Sequence, residues 1–221
     1  MLRTLQDVER PTTFTLLERQ WRLLPGVFSP THTPVTELFT RWIPYPVGGS
    51  FLEIGSGAGV TAVTAALSGC ATVTAVDLNQ VAVENTRENA ELHGVTGKVR
   101  ALTSDLFDGL ASDERFDLIF WNSNFVLPPV GYVNESDFDH AFFDPGYTAH
   151  ERFFRQAPDR VLGGGRVLLG FSDLGDRTLL DDIAAAAGLE LLVLERELRY
   201  TEIAIEFELL ELQRGAGDDR R

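Results

Sequence analysis

At 221 residues, 44% hydrophobic and 24% charged, the chain has the composition of one folded α/β domain with a short appendage rather than of a disordered segment. A formal net charge of −14 disfavours a phosphate-backboned partner, and the basic residues, almost all arginine with Lys98 the single lysine, form no stripe. No apolar run is long enough to span a bilayer, MLRTLQDVERP has no signal-peptide core, and one cysteine, Cys70, excludes internal disulfides and multi-cysteine metal sites, so a cytoplasmic protein without a membrane partner or a metal is expected.

The first 45 residues read as a helical cap. TTFTLLERQWRLL carries Phe14, Leu16, Leu17, Trp21 and Leu24 at mixed three- and four-residue spacing, and Pro25 and Gly26 end it. Pro34 and Thr36 then start a short helix bearing Leu38, Phe39 and Trp42, which Pro44 and Pro46 stop. This segment either caps one edge of the sheet or closes over a ligand. From Gly49, strands and helices alternate, which predicts a doubly wound, mostly parallel sheet. Strands are expected at 51–54, 72–76, 98–103, 116–121 and 166–171, and helices at 59–68, 80–93, 147–161 and 176–187. Cys70 follows an alanine-rich helix and reads as a small buried hydrophobe. LELLVLERELRY and TEIAIEFELLELQR, joined around 198–201, read as two long strands of an antiparallel hairpin. The organisation is a cap over 1–45, an α/β domain over 46–214 and a frayed tail over 215–221.

The stretch SFLEIGSGAGVTAV, Ser50 to Val63, is the most informative. An apolar strand runs into Gly55, Gly57 and Gly59, and the next strand ends on Asp77, followed by Leu78. Glycines there let backbone approach a ligand closely, and an acid at the following strand tip can accept hydrogen bonds from a ribose diol. Together they predict an adenosine-containing cofactor at the carboxyl ends of two adjacent parallel strands. A dinucleotide fingerprint would place its third glycine at position 60, where this chain has Val60. Glu53, before the loop, would repel a pyrophosphate.

The E-x-G-x-G-x-G pattern of Glu53 to Gly59 resembles the first motif of the class I S-adenosylmethionine-dependent methyltransferases, whose cofactor carries a sulfonium and an ammonium group. A parallel sheet ending in an antiparallel hairpin is similar to the seven-stranded Rossmann-like fold of that class. The resemblance implies that Asp105, with Leu106 and Phe107 behind it, meets the adenine ring; on residues alone the lesser alternative is that Asp105 caps the next turn. FDLIFWNSNFVLPP is similar to the F-D-L-I-x-x-N-P-P-Y segment of amino-methyltransferases, including the release-factor glutamine methyltransferases, and PVTE at Pro34 to Glu37 to their P-[ED]-T-E. On that resemblance the Asn122 side chain and the Ser123 carbonyl would accept the two hydrogens of a planar NH₂ group while Phe125 stacks on it. The motif's two prolines are replaced by Ser123 and Asn124, which removes fixed φ angles and adds polar side chains.

The loop VLPPVGYVNESDFDHAFFDPGY, Val126 to Tyr147, follows directly and is long enough to be functional. It offers Tyr132, His140, Phe142, Phe143, Asp144 and Tyr147 to an acceptor, with His140 a candidate general base. Its carboxylates Glu135, Asp137, Asp139 and Asp144 suit an amine-bearing substrate or are a solvated face. His32 is placed to touch cofactor or acceptor, while His93 and His150 read as helix-surface residues. The expectation is an S-adenosylmethionine-dependent methyltransferase acting on nitrogen of a small molecule, with no nucleic-acid partner. Glu53, Gly55, Gly57, Gly59, Asp77, Leu78, Asp105, Leu106 and Asn122 would hold cofactor; Asn122, Ser123, Phe125 and His140 would serve the transfer. Its rivals are a protein glutamine methyltransferase, a nicotinamide-dependent oxidoreductase and a non-catalytic cofactor-binding partner.

Overall fold

The computed structural model describes residues 12–134, 137–200 and 203–215. The first eleven residues, Glu135, the Asp137 side chain and the tail beyond Gly215 lie outside the described residues.

The chain from Thr12 to Leu24 is a β-hairpin, not the helix expected from its spacing. Strands β1 (Thr13–Leu16) and β2 (Arg19–Arg22) pair antiparallel with Phe14 opposite Trp21. Two features override the helical pattern. Thr13, Thr15 and the alternation of Phe14 with Leu16 suit a pleated surface. Leu17 and Glu18 take φ of 52° and 60°, the two positive values of a tight hairpin turn, in a sequence with no glycine to announce it. Helix α1 (Val35–Trp42) follows as anticipated.

The strands of the main sheet are β3 (Ser50–Ile54), β4 (Thr72–Asp77), β5 (Val99–Thr103), β6 (Phe116–Asn122), β7 (Val161–Ser172), β8 (Leu189–Tyr200) and β9 (Ala204–Arg214). They run in the order β5-β4-β3-β6-β7-β9-β8, all pairs parallel except those made by β9. This is the doubly wound sheet with a terminal antiparallel hairpin that the sequence predicts. Helices α2 (Val60–Leu67), α3 (Gln80–Leu92), α4 (Asp137–His140), α5 (Thr148–Gln156) and α6 (Arg177–Ala186) connect the strands. Strand β7 begins five residues before its expected start, at the irregular run Gly163–Gly165. A Cβ on Gly165 would lie 2.9 Å from the Phe116 carbonyl oxygen, so glycine permits the bulge there. Helix α5 ends early because Pro158 follows, in a single 3₁₀ turn.

Strand alternation divides the core into two layers. Phe51, Leu118, Phe120, Leu168, Phe207 and Leu209 face the layer with α1, α2, α3 and the hairpin. Leu52, Ile119, Trp121, Leu169, Phe171 and Leu210 face the layer with α5 and α6. Phe39 of α1 lies so close to β7 that a Cβ on Gly170 would come within 2.5 Å of its ring. Cys70 is fully buried in the first layer. Among the described residues no helix is long and apolar enough to cross a membrane.

Two buried asparagines on α3 dock the hairpin. Asn89 Oδ1 accepts from Arg22 N at 2.8 Å, and its Nδ2 donates to Arg22 O at 2.9 Å and to Ala58 O at 2.8 Å. Asn85 receives Leu24 N at 2.9 Å and donates to Arg22 O at 2.9 Å. One side chain thus ties β2 to the glycine loop. An Asn89→Ala variant leaves two backbone groups, Arg22 N and Ala58 O, without their side-chain partner, each a penalty of about 1–3 kcal/mol, while Arg22 O keeps Asn85. We expect a loss of about 3 kcal/mol, or roughly 6–12 °C in thermal unfolding, against under about 0.5 kcal/mol for Glu91→Ala on the exposed face of the same helix.

Candidate active site

The loop from Gly55 to Gly59 leaves β3 with three positive φ values, at Gly55 (70°), Gly57 (53°) and Gly59 (77°). Its shape is fixed by neighbours. Ser56 N donates to Val76 O at 3.0 Å, and Gly57 N donates to Asp77 Oδ2 at 2.8 Å. The glycines have different reasons. A Cβ on Gly57 would meet nothing within 4 Å, whereas one on Gly59 would lie 2.8 Å from the Thr86 Cα. Gly57 therefore presents bare backbone to the open side, a Cβ on Gly55 would sit in ordinary contact with the Trp121 indole at 3.8 Å, and Gly59 lets α2 start against α3.

Above this loop lies a cleft of about 230 Å³ at the carboxyl ends of β3, β4, β5 and β6. Of the residues singled out in the sequence, Glu53, Gly55, Gly57, Asp77, Leu78, Asp105, Leu106, Asn122 and His140 line it. Gly59, Ser123 and Phe125 do not. Ser123 is buried behind the wall, its Oγ donating to Gly170 O at 2.8 Å. Phe125 turns into the core, 5.9 Å from the Phe171 ring. Gly26, Phe28, Trp121, Asn124 and Thr36 line the cleft instead. Phe28 belongs to the segment after the hairpin, which Asn79 holds at the β4 tip by donating Nδ2 to Gly26 O at 3.2 Å. The only sequence signal for Phe28 was its position just before PVTE, at a distance from the loop that only folding closes.

The polar groups on the walls differ in their engagement. Asp77 Oδ1 also accepts from Asn79 N at 2.9 Å; a carboxylate has about four acceptor positions, so these bonds orient it. Asp105 Oδ2 is ion-paired with Arg152 Nη1 at 2.8 Å, and Arg152 also reaches Asp108 at 3.2 Å. Asn122 Oδ1, at the end of β6, is buried with no hydrogen-bond partner among the described residues, and so is Asn124 Oδ1. His140 Nδ1 lies 2.9 Å from Asn134 Nδ2, which also donates to Phe143 O at 3.3 Å. An amide nitrogen only donates, so His140 Nδ1 is the acceptor in this contact.

Several loop residues offered to an acceptor by the sequence are structural. Asp144 is buried, receives Ala149 N at 3.0 Å and His150 N at 3.0 Å, and contacts His150 Nδ1 at 2.7 Å. The ring and amide hydrogen bonds from His150 and Ala149 hold its carboxyl below the usual range, although burial opposes this. His150 is not on the helix surface: it is 0% exposed, its ring 4.7 Å from Trp121 and 4.6 Å from Tyr147, and burial lowers its pKa. Tyr147 is likewise buried, donating from its hydroxyl to Phe125 O at 2.5 Å. His93 packs half-buried on Trp21 at 4.4 Å, and the His32 ring lies tilted 5.9 Å from that of Phe28.

Glu53 is 3% exposed, its Oε2 accepting from Ala62 N at 2.8 Å. Burial pushes its pKa up to about 8, with the nearby Asp77 charge adding to the rise and the bonds from Thr61 and Ala62 opposing it. Between the unfolded value near 4.5 and the folded value near 8, the folded state holds a proton that the unfolded chain releases. Stability attributable to this group is full below pH 4.5 and declines as pH rises towards 8. Glu53→Gln keeps an acceptor for Ala62 N and cannot ionise. Its melting temperature relative to the wild type should rise steadily from pH 5 to pH 8; a gap that stays constant contradicts the protonated glutamate.

Comparison with known proteins gives the same reading of the fold. Residues 18–183 match the methyltransferase small domain family. The chain is 32% identical over 162 residues to release factor glutamine methyltransferase of Bordetella pertussis, covering 66% of this chain and 57% of that one. It is 31% identical over 148 residues to ribosomal RNA small subunit methyltransferase C of Aeromonas hydrophila, covering 66% and 38%. Among solved structures, a 16S rRNA N2 methyltransferase of T. thermophilus in complex with AdoMet and guanosine superposes with a TM-score of 0.61 at 22% identity, covering 93% of this chain and 50% of that one. The chain spans little more than half, or less, of its relatives in Bordetella pertussis, Rhodopirellula baltica and Exiguobacterium. The substrates these names state are a release factor and ribosomal RNA, which overturns the expectation of a small-molecule acceptor with no nucleic-acid partner. Glycine loop, strand-end acid, sheet order and matched residues together place this chain in the methyltransferase small domain family, within the class I S-adenosylmethionine-dependent methyltransferases.

Proposed function

We propose that this chain transfers a methyl group from S-adenosylmethionine to the side-chain amide nitrogen of a glutamine presented by a protein. The observation that carries the reading is Asn122 Oδ1, a buried acceptor without a partner on the wall of the cleft. A buried unpaired carbonyl is costly, and the cost is removed when a ligand supplies an N–H. Similarity to a release factor glutamine methyltransferase supports an amide as that ligand.

The residues present fit the cofactor. Gly55 and Gly57 offer backbone without side chains, Asp77 is oriented at the β4 tip for a diol, and Asp105 is oriented by Arg152 at the β5 end. Leu78 and Leu106 supply apolar wall. Glu53, below the loop, is a proton-bearing acid that a nearby cation would draw towards ionisation. When bound, the cofactor supplies an electrophilic methyl carbon on a sulfonium. The protein's task is then alignment: Asn122 Oδ1 takes one amide hydrogen and turns the nitrogen towards the methyl donor. Holding two reactants in attack geometry accounts for most of the acceleration expected of such a site, without a strong base.

Asn122→Ala tests this. Labelled methyl transfer to a glutamine-bearing peptide should fall by at least about 100-fold. Stabilisation by S-adenosylhomocysteine, roughly 2.7 kcal/mol at a hundred times its dissociation constant, should remain. Label entering ribosomal RNA but no glutamine-bearing protein or peptide would sink the amide reading.

A further inference from the structure

The N-P-P-Y resemblance assigns the second hydrogen of the substrate NH₂ to the carbonyl of the residue after the asparagine, here Ser123. The structure buries Ser123 behind the wall and brings the next residue, Asn124, to the cleft. We propose that Asn124 Oδ1 is the second acceptor, and that with Asn122 Oδ1 it forms a side-chain pair selecting a planar NH₂ group. This rests on the amide-methylation reading above and names the residue that sets its specificity.

Three observations carry it. Asn124 Nδ2 donates to Phe143 O at 3.0 Å. A carbonyl accepts only, so the amide end facing Phe143 must be the NH₂, and Oδ1 is left on the other side; the orientation is fixed by chemistry rather than chosen. Second, Oδ1 of Asn124 and Oδ1 of Asn122 are both buried and both without partners, two residues apart on one cleft wall. Third, the frame behind Asn124 is braced. Val126 N donates to Phe142 O at 3.1 Å, Asp144 N to Val126 O at 3.3 Å, and Asn134 Nδ2 reaches the same Phe143 carbonyl. Tyr147 pins the Phe125 carbonyl one residue further on.

Two fixed acceptors define what they accept. An NH₂ group satisfies both, a hydroxyl satisfies one, and a carboxylate satisfies neither and adds repulsion. Proline, which the motif carries at this position, has no such oxygen.

The test compares binding of a glutamine-bearing peptide with its glutamate counterpart by calorimetry, with S-adenosylhomocysteine present. The wild type should prefer glutamine by at least about tenfold. Asn124→Ala, and Asn124→Pro as a second variant, should lose that preference while keeping the S-adenosylhomocysteine melting shift that shows a folded cofactor cleft. A preference preserved in either folded variant overturns the proposal, as does a wild type that binds neither peptide measurably or both equally. Methyl transfer is read separately. If no label reaches glutamine while the Asn124-dependent preference holds, glutamine methylation fails and the acceptor pair stands.

Discussion

A missing methyl group at position 59 sets the spacing on which this molecule depends. A side chain on Gly59 would drive its Cβ to 2.8 Å from the Thr86 Cα, so only glycine allows α2 to begin against α3. That approach carries Ala58 within reach of Asn89 and the Gly57 amide within reach of Asp77. Loop, second strand and third helix then share one hydrogen-bonded junction. The cleft is the space left above it, and its shape follows from backbone held by side chains that are not themselves in the loop.

Much of this was legible in the chain and some was not, for identifiable reasons. The alternation from Ser50 onward, the terminal hairpin and most strand and helix bounds follow from periodicity that burial enforces. The glycine loop and Asp77 were readable because a ligand-facing turn demands unusual residues. The hairpin at Thr13–Arg22 was not, because Leu17 and Glu18 adopt positive φ without the Asn or Gly that signals it. A helical spacing of Leu16, Leu17 and Trp21 was equally a strand pattern, and docking on Asn85 and Asn89, more than sixty residues away, decided between them. Phe125 and Phe28 exchanged places for a similar reason: proximity in sequence to the transfer motif says nothing about which ring tertiary packing directs into the cleft.

The altered motif shows how lost covalent rigidity is replaced. Two prolines would set φ through their rings. Here the same turn is fixed by Ser123 Oγ on Gly170, Asn124 Nδ2 on Phe143 and the Tyr147 hydroxyl on Phe125. Tyr147 itself has φ of 53°, an unfavourable value for a bulky residue, and its hydroxyl also accepts from Asp176 N at 2.8 Å. Packing against His150 and Phe171 holds it there. The long loop after β6 is thus part of the wall, anchored by the buried Asp144–His150 pair, and among its described residues Asn124, His140 and Ala141 line the cleft.

Cys70 gives the chain a property unrelated to its chemistry. It is the single thiol, it lies in the first core layer beside Ala65, and burial pushes its pKa up to about 11, despite the opposing pull of Lys98. A thiol so placed is neither ionised nor reachable in the closed fold. Reagent meets it only when the packing around it opens. The rate at which native protein is alkylated therefore counts openings of the core that carries the glycine loop, which makes the molecule its own clock for the stability of its cofactor half.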